Sequence, residues 1–394
     1  MKKSTADKKG KYGLLFLTCL LTALLLFPCV RAKSAPPAIK ARAAILMDAK
    51  TGQVLYEKNS RLRSAPASTT KVVTAIIAIE SGRLAEEVTV SPQAAATGGS
   101  SMHLHTGQKL LLRELVTGLL LRSGNDAAAA IAEHLAGSVE EFSLLMNEKA
   151  EQLGAYDSQF KNPHGLSAAG HYTTAFDLAW ITRYALTHPV FADIVSTKET
   201  AIEWFDRKGQ EHEQNLRNTN KLLWMLEDAD GVKTGTTNEA GPCLISSATR
   251  GSQKLIAVVL HDHSRWYDSM QLLQYGFNTF ELVEYANRQE VLATLPVEQG
   301  MTGEVDVILS EAACLVVPTA DKPSLTIQVD LPETIKAPVY QGQKIGEVIF
   351  FIGGKAVKTV DLHAAQEIEE RTPARIVLQH LLATFRRLSG WGLL

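Results

Sequence analysis

Cysteine is nearly missing from this chain of 394 residues: four occur, and Cys19 and Cys29 fall inside one N-terminal apolar stretch. Only Cys243 and Cys314 lie beyond it, so a disulfide framework is excluded and one bond is the upper limit. Both are expected to be free and buried, in different domains. A second long hydrophobic run is also missing. The single run, Gly13 to Val30, follows Lys2, Lys3, Lys8, Lys9 and Lys11 and leads into Val30-Arg31-Ala32. That is the make-up of a secretory signal over residues 1–32, with a mature chain from Lys33. The run approaches the length of a bilayer span, so an uncleaved anchor is the competing reading, which the small-residue exit disfavours. No lipobox precedes Cys29, whose neighbours are Leu26-Phe27-Pro28, and lipid attachment is disfavoured. A basic excess is absent: six of the 40 Lys and Arg and one of the 42 Asp and Glu lie in residues 1–32, leaving 34 against 41, a net of −7. Nucleic acid is thereby excluded as a partner. Internal repeats and low-complexity runs are absent too.

What remains is long enough for two cores. Over residues 33–290 helical periodicity alternates with short strands, and Ser138-Val139-Glu140-Glu141 predicts a capping box opening a helix that runs towards Leu153. Over residues 291–366 the pattern turns to strands. Leu325, Ile327, Val329 and Leu331 alternate with polar residues, and Glu347 to Ile352 meets Lys355 to Leu362 across Gly353-Gly354, a two-residue hairpin signal. The last stretch, residues 367–394, carries from Arg371 onward four arginines and no acid. At helical spacing Val377, Leu378, Leu381, Leu382, Phe385 and Leu388 share a face, with Arg375, Gln379, Arg386 and Arg387 opposite. Such a basic amphipathic helix, with Trp391 near its end, predicts an anchor on a membrane surface rather than a helix docked on the protein's own core.

Three short patterns carry chemistry. Ser68-Thr69-Thr70-Lys71 opens an apolar run after Pro66, which predicts the start of a buried helix. Residues three apart share a helix face, so the Lys71 amine reaches the Ser68 hydroxyl; surroundings that disfavour the ammonium would leave a neutral base beside a nucleophile. The helix start also offers unpaired N–H groups for an oxyanion. Ser123-Gly124-Asn125 interrupts an apolar helical run and displays polar groups: Ser123 to pass a proton, Asn125 to hold a substrate amide. Lys233-Thr234-Gly235-Thr236 precedes a strand, where Lys233 and Thr234 can meet a carboxylate, Gly235 permits close backbone approach and the Thr236 N–H can complete an oxyanion hole. Singly, each pattern reads as well as a capping serine, an inter-helix turn or a hairpin entrance.

In this order and at these intervals the three together match the signature of β-lactamases and penicillin-binding proteins. Around them stand the stretch from Asp48 to Asn59, Pro66-Ala67-Ser68, Asn162-Pro163-His164-Gly165-Leu166, Gly170-His171-Tyr172-Thr173-Thr174 and Tyr275-Gly276-Phe277. Over residues 40 to 365 the chain resembles a serine D-alanyl-D-alanine carboxypeptidase, a low-molecular-mass penicillin-binding protein. The resemblance implies an α/β (α+β) catalytic domain, β-lactamase/transpeptidase-like, with a central antiparallel sheet flanked by helices, then a small all-β sandwich. It further implies an acyl-enzyme on Ser68, Lys71 as base, peptidoglycan stem peptides ending in D-Ala-D-Ala as substrate, β-lactam antibiotics as covalent inhibitors, and a site outside the cytoplasmic membrane. No cofactor is implied.

The glutamate of a Glu-x-x-Leu-Asn pattern is missing between Ser123 and Lys233, which speaks against a β-lactamase that turns penicillin over quickly. A DD-transpeptidase or endopeptidase on the same fold, and a non-catalytic wall-binding scaffold, stay open. The chain departs from the common family pattern at Thr236, where relatives can carry histidine, and at Thr219, where they can carry arginine. Arg265, after a strand, is read either as an aid to Lys233 or as one half of a surface ion pair. His103 with His105, and His261, Asp262 and His263, have metal-like spacing without a third ligand for the first pair, so no metal is expected. His164 is read as part of a turn, and Asp177, three after Thr174, as part of a cap.

Overall fold

Ala43–Asp48 (β1), Val54–Lys58 (β2), Ala229–Thr237 (β3), Gly241–Arg250 (β4) and Gln253–Leu260 (β5) form a five-stranded sheet in the order β2-β1-β5-β4-β3, antiparallel throughout. The computed structural model describes residues 35–205, 210–377 and 381–382. The signal over residues 1–32, with Cys19 and Cys29, lies outside these, as do Leu378, Gln379, Phe385, Arg386, Arg387, Leu388 and Trp391 of the terminal segment. β1 is apolar at consecutive positions because both faces of the sheet are covered. Ala43, Ile45 and Met47 point into one core and Ala44 and Leu46 into another, and all five are buried.

The first core is closed by Lys71–Glu80 (α1), Leu112–Leu121 (α2), Asn125–Ala136 (α3), Val139–Gln152 (α4), Ala175–Ala185 (α5) and Pro189–Ser196 (α6). The second is closed by Arg265–Thr279 (α7), through Leu272 and Leu273. The capping box forms on its serine side: Glu141 N–H donates to Ser138 Oγ at 3.1 Å, and α4 ends at Gln152. At Thr174 the cap forms as expected, the Asp177 N–H donating to Thr174 Oγ1 at 3.0 Å. The Asp177 carboxylate has a second task, accepting from the Asp157 N–H at 2.9 Å and the Ser158 hydroxyl at 2.7 Å.

From Phe280 onward the chain is β-rich. Phe280–Ala286 pairs with Ala313–Pro318, and Leu282, Cys314 and Val316 from this ribbon pack into the second core. Six further strands make one sheet, in the order 325–330, 344–352, 355–364, 304–309, 291–298 and 335–336. Val307, Val348, Phe350 and Leu362 lie in its own core. Gly353 and Gly354 turn the expected hairpin with φ of 57° and 79°, the left-handed pair that matches strand twist. Cys243 and Cys314 are free and buried. No helix among the described residues is long and apolar enough to cross a membrane.

Candidate active site

Ser68 enters on a tight 3-10 turn, Ala67–Thr70, which feeds α1 at Lys71. A single regular helix was the expectation; the hydroxyls of Thr69 and Thr70 bond back to the carbonyls of Pro66 and Ala67 at 2.6 and 2.8 Å and tighten that first turn. Ala67 stands at φ 49°, a conformation costing about 1–2 kcal/mol for a residue with a Cβ. It is held by the Asn162–Leu166 loop beneath it: Asn162 Oδ1 accepts from the Gly165 N–H at 2.7 Å, and a Cβ on Gly165 would lie 1.9 Å from the Ala67 oxygen. The loop is also tied to α1 by the Thr74 hydroxyl, which donates to the Pro163 carbonyl at 2.6 Å.

Lys71 is fully buried, with its Nζ 2.9 Å from Ser68 Oγ, 2.6 Å from Asn125 Oδ1 and 2.7 Å from the His164 carbonyl oxygen. Burial first, then the nearby Lys233 ammonium, push its pKa well below the ordinary lysine value, against the opposing pull of the Asp126 carboxylate. A neutral amine has two hydrogens and one lone pair. The Asn125 oxygen and the His164 carbonyl only accept, so they take both hydrogens and leave the lone pair for the Ser68 O–H. Asn125 is oriented by its own Nδ2, which donates to the Gly98 carbonyl at 2.6 Å. Its oxygen is therefore engaged with Lys71, where the sequence reading had the whole amide free for substrate; one Nδ2 hydrogen remains for a ligand.

Ser123 sits between α2 and α3 at φ 64°, 5 % exposed, and its Oγ has no hydrogen-bond partner among the described residues. The buried Asp126 fastens the neighbouring segment, accepting from the Ser101 hydroxyl at 2.6 Å and from the Met102 and Leu104 N–H groups at 3.0 and 3.1 Å. No motif marked that brace.

The third pattern lies on β3, the edge strand of the sheet. A Cβ on Gly235 would stand 2.9 Å from Ser68 N and 3.2 Å from Thr69 N, so the missing side chain is what brings this strand against the serine turn. Lys233 is buried and donates to the Thr234 carbonyl at 3.0 Å. Burial and the Arg265 guanidinium bring its pKa down to about 7. The hydroxyls of Thr234 and Thr219 are 3.0 Å apart. Arg265, the first residue of α7, donates from Nη1 to the Gly235 carbonyl at 2.8 Å, to Thr236 Oγ1 at 2.9 Å and to the Cys243 carbonyl at 3.2 Å. It lies beside the Lys233 strand, and the reading as one half of a surface ion pair gives way to these three bonds.

The remaining histidines are structural or peripheral. His164 contributes its carbonyl, and burial holds its ring neutral with a pKa of about 3. His171 accepts from the Lys161 N–H at Nδ1 over 3.2 Å, which leaves its Nε2 hydrogen for Thr70 Oγ1 at 3.0 Å. His103 and His105 are exposed, and no group of three or more His, Cys, Asp and Glu among the described residues is arranged to hold a metal ion.

Residues 30–264 match the family model described as D-alanyl-D-alanine carboxypeptidase, and residues 280–370 match that of the penicillin-binding protein 5 C-terminal domain. The D-alanyl-D-alanine carboxypeptidase DacC of Escherichia coli is 36% identical over 350 residues, covering 85% of this chain and 86% of that one. DacF of Bacillus subtilis, a D-alanyl-D-alanine carboxypeptidase by name, is 32% identical over 84% of this chain and 86% of its own. Among solved structures, penicillin binding protein 5 from Haemophilus influenzae superposes with a TM-score of 0.74 at 30% identity, over 86% of this chain and all of that one.

Proposed function

Since this chain belongs to the D-alanyl-D-alanine carboxypeptidase family, we propose that it releases the terminal D-alanine of peptidoglycan stem peptides through an ester on Ser68. The observation that carries this reading is the buried Lys71 amine, 2.9 Å from Ser68 Oγ and within 2.7 Å of two acceptors, Asn125 Oδ1 and the His164 carbonyl, an arrangement in which a neutral amine turns its lone pair to the serine hydroxyl. Lys71 takes the Ser68 proton as the oxygen attacks the carbonyl of the penultimate D-alanine. The Ser68 and Thr236 N–H groups stabilise the oxyanion, and the unpartnered Ser123 hydroxyl passes a proton to the departing amine. Water then attacks the ester and frees the serine.

Lys233 and Thr234 bind the terminal carboxylate, with Arg265 and Thr236 beside them, Gly235 leaving room for the substrate backbone and Asn125 offering its spare N–H. A β-lactam presents a carboxylate next to a strained amide, so the same groups bring penicillin to Ser68. Purified protein is expected to release free D-alanine from diacetyl-Lys-D-Ala-D-Ala and to take up a fluorescent penicillin on Ser68. A protein that does neither, or that is labelled at another residue, removes the assignment.

The substrate lies outside the cell membrane, and the basic signal-like N-terminus supports export. The basic C-terminal segment supports attachment to the outer face of the cytoplasmic membrane: its described apolar residues Val377, Leu381 and Leu382 are 59%, 63% and 52% exposed. A burial of that kind in lipid stabilises binding by about 1.5–3 kcal/mol per side chain. Sedimentation with anionic vesicles is expected for the full chain and is expected to be lost on truncation from Arg371; a truncated protein that still pellets refutes the anchor.

A further inference from the structure

A groove of about 550 Å³ opens beside the carboxylate anchor. Arg122, Arg217, Thr219, Lys221, Trp224 and Met225 line it. The hydroxyl of Thr219, one of the lining residues, is 3.0 Å from that of Thr234, and Arg122 directly precedes Ser123. The groove therefore adjoins Thr234, assigned above to the terminal carboxylate. Its walls combine three cations with an apolar surface, Trp224 and Met225 being 41% and 50% exposed. The Arg217 guanidinium stacks 5.0 Å above the Trp224 ring. Its ion pair with Glu199, at 3.3 Å with both side chains more than 60% exposed, competes weakly for it. Among the described residues no acidic side chain lines the groove.

We propose that this groove is a subsite for the side chain of the leaving residue, accepting a D-amino acid whose aliphatic side chain ends in a carboxylate. The inference rests on the assignment of Thr234 to the terminal carboxylate made above. It extends the enzyme from terminal D-alanine to bonds between D-alanine and a larger anionic amine. The methylenes of such a side chain cover Trp224 and Met225, and its carboxylate meets Arg217 and Arg122, whose planar guanidinium groups bind carboxylates in pairs of hydrogen bonds. The chemistry is unchanged: the bond from the D-alanine carbonyl to the leaving nitrogen breaks as the Ser68 ester forms. The serine proton ends on the leaving amine by way of Lys71 and Ser123, and water hydrolyses the ester.

Three peptides test it on the full-length protein: diacetyl-Lys-D-Ala extended by D-alanine, by D-α-aminoadipate or by D-norleucine. The D-aminoadipate peptide is expected to be cleaved with kcat/KM within about tenfold of the D-alanine peptide. The Arg122→Gln/Arg217→Gln double variant is expected to lose at least about tenfold on D-aminoadipate, the worth of one charge-assisted contact. The same variant should change less than about threefold on D-alanine and D-norleucine, as expected for exposed side chains that touch neither. Wild-type rejection of D-aminoadipate by more than about a hundredfold, or a double variant that falls short of the tenfold loss or loses all three peptides equally, overturns the subsite. Failure of the wild type on the D-alanine peptide overturns the carboxypeptidase reading instead.

Discussion

Lys71→Met is expected to lower D-alanine release and penicillin acylation by about 10²–10⁴-fold, the contribution of a positioned general base, with the fold intact. Methionine fills much the same volume without a charge to desolvate, which favours the variant. Against this, the Asn125 oxygen and the His164 carbonyl lose their donor, at about 1–3 kcal/mol for each buried group left unpaired. The two effects oppose, so the stability at neutral pH should shift by no more than about 2–3 kcal/mol. Its pH dependence carries the sharper signature. With the folded pKa well below the ordinary 10.5, the unfolded chain binds a proton that the folded chain does not throughout that window. Stability therefore rises with pH up to the unfolded value. Lys233 adds a slope of the same sign only above about 7. Urea midpoints should thus rise less steeply with pH in Lys71→Met than in the wild type, and the slope that remains above about pH 7 is the share of Lys233. Asn125→Asp makes the converse change: a carboxylate beside the amine stabilises the ammonium, and the acid limb of the acylation rate moves to higher pH. A Lys71→Met protein that retains acylation within tenfold of wild type would place the base elsewhere.

The pairing of Ser68 with Lys71 was legible because it is local: three residues on one helical face put the two groups within reach whatever the rest of the fold does. The Gly353-Gly354 hairpin was legible for the same reason, a short-range pattern with one geometric solution. The partners that complete the lysine are of another kind. The His164 carbonyl lies 93 residues from Lys71 in sequence, and a carbonyl is common to every residue, so nothing in the side-chain string marks it. Asn125 was singled out, yet its oxygen serves Lys71 across 54 residues, a contact that only the packing of α1 against α3 creates. Arg265 was visible as a cation near a helix start, but its three acceptors come from β3 and β4, and its direction followed only from the antiparallel pairing of those strands. Gly165 was noted within a motif; the reason for a glycine there is a collision with a carbonyl 98 residues earlier, invisible in sequence.

That collision yields a strong test with an internal control. Gly165→Ala places a methyl group 1.9 Å from the Ala67 oxygen and 2.4 Å from its carbonyl carbon, at a glycine of φ +87°. Both atoms are backbone, in the turn that carries the nucleophile, and cannot swing aside as a flexible side chain would. Gly82→Ala imposes a similar backbone conformation, φ +69°, with nothing within 4 Å of the new Cβ. The control isolates the cost of the left-handed conformation, about 1–2 kcal/mol, and should leave acylation unchanged. Gly165→Ala adds to that cost the displacement of Ala67, so the loss is expected to reach at least about 3 kcal/mol, a fall of roughly 6–12 °C in the Tm of a catalytic domain of about 250 residues. It should also lower kcat/KM by about a hundredfold, the usual effect of moving a reacting group by an ångström. Covalent labelling at saturating penicillin separates the two consequences: a displaced serine is still labelled, slowly, in the folded fraction. Were the two alanine variants to behave alike, the Asn162–Leu166 loop would not be pressed against the serine turn. The strut that carries the His164 carbonyl to Lys71 would then lose its physical basis.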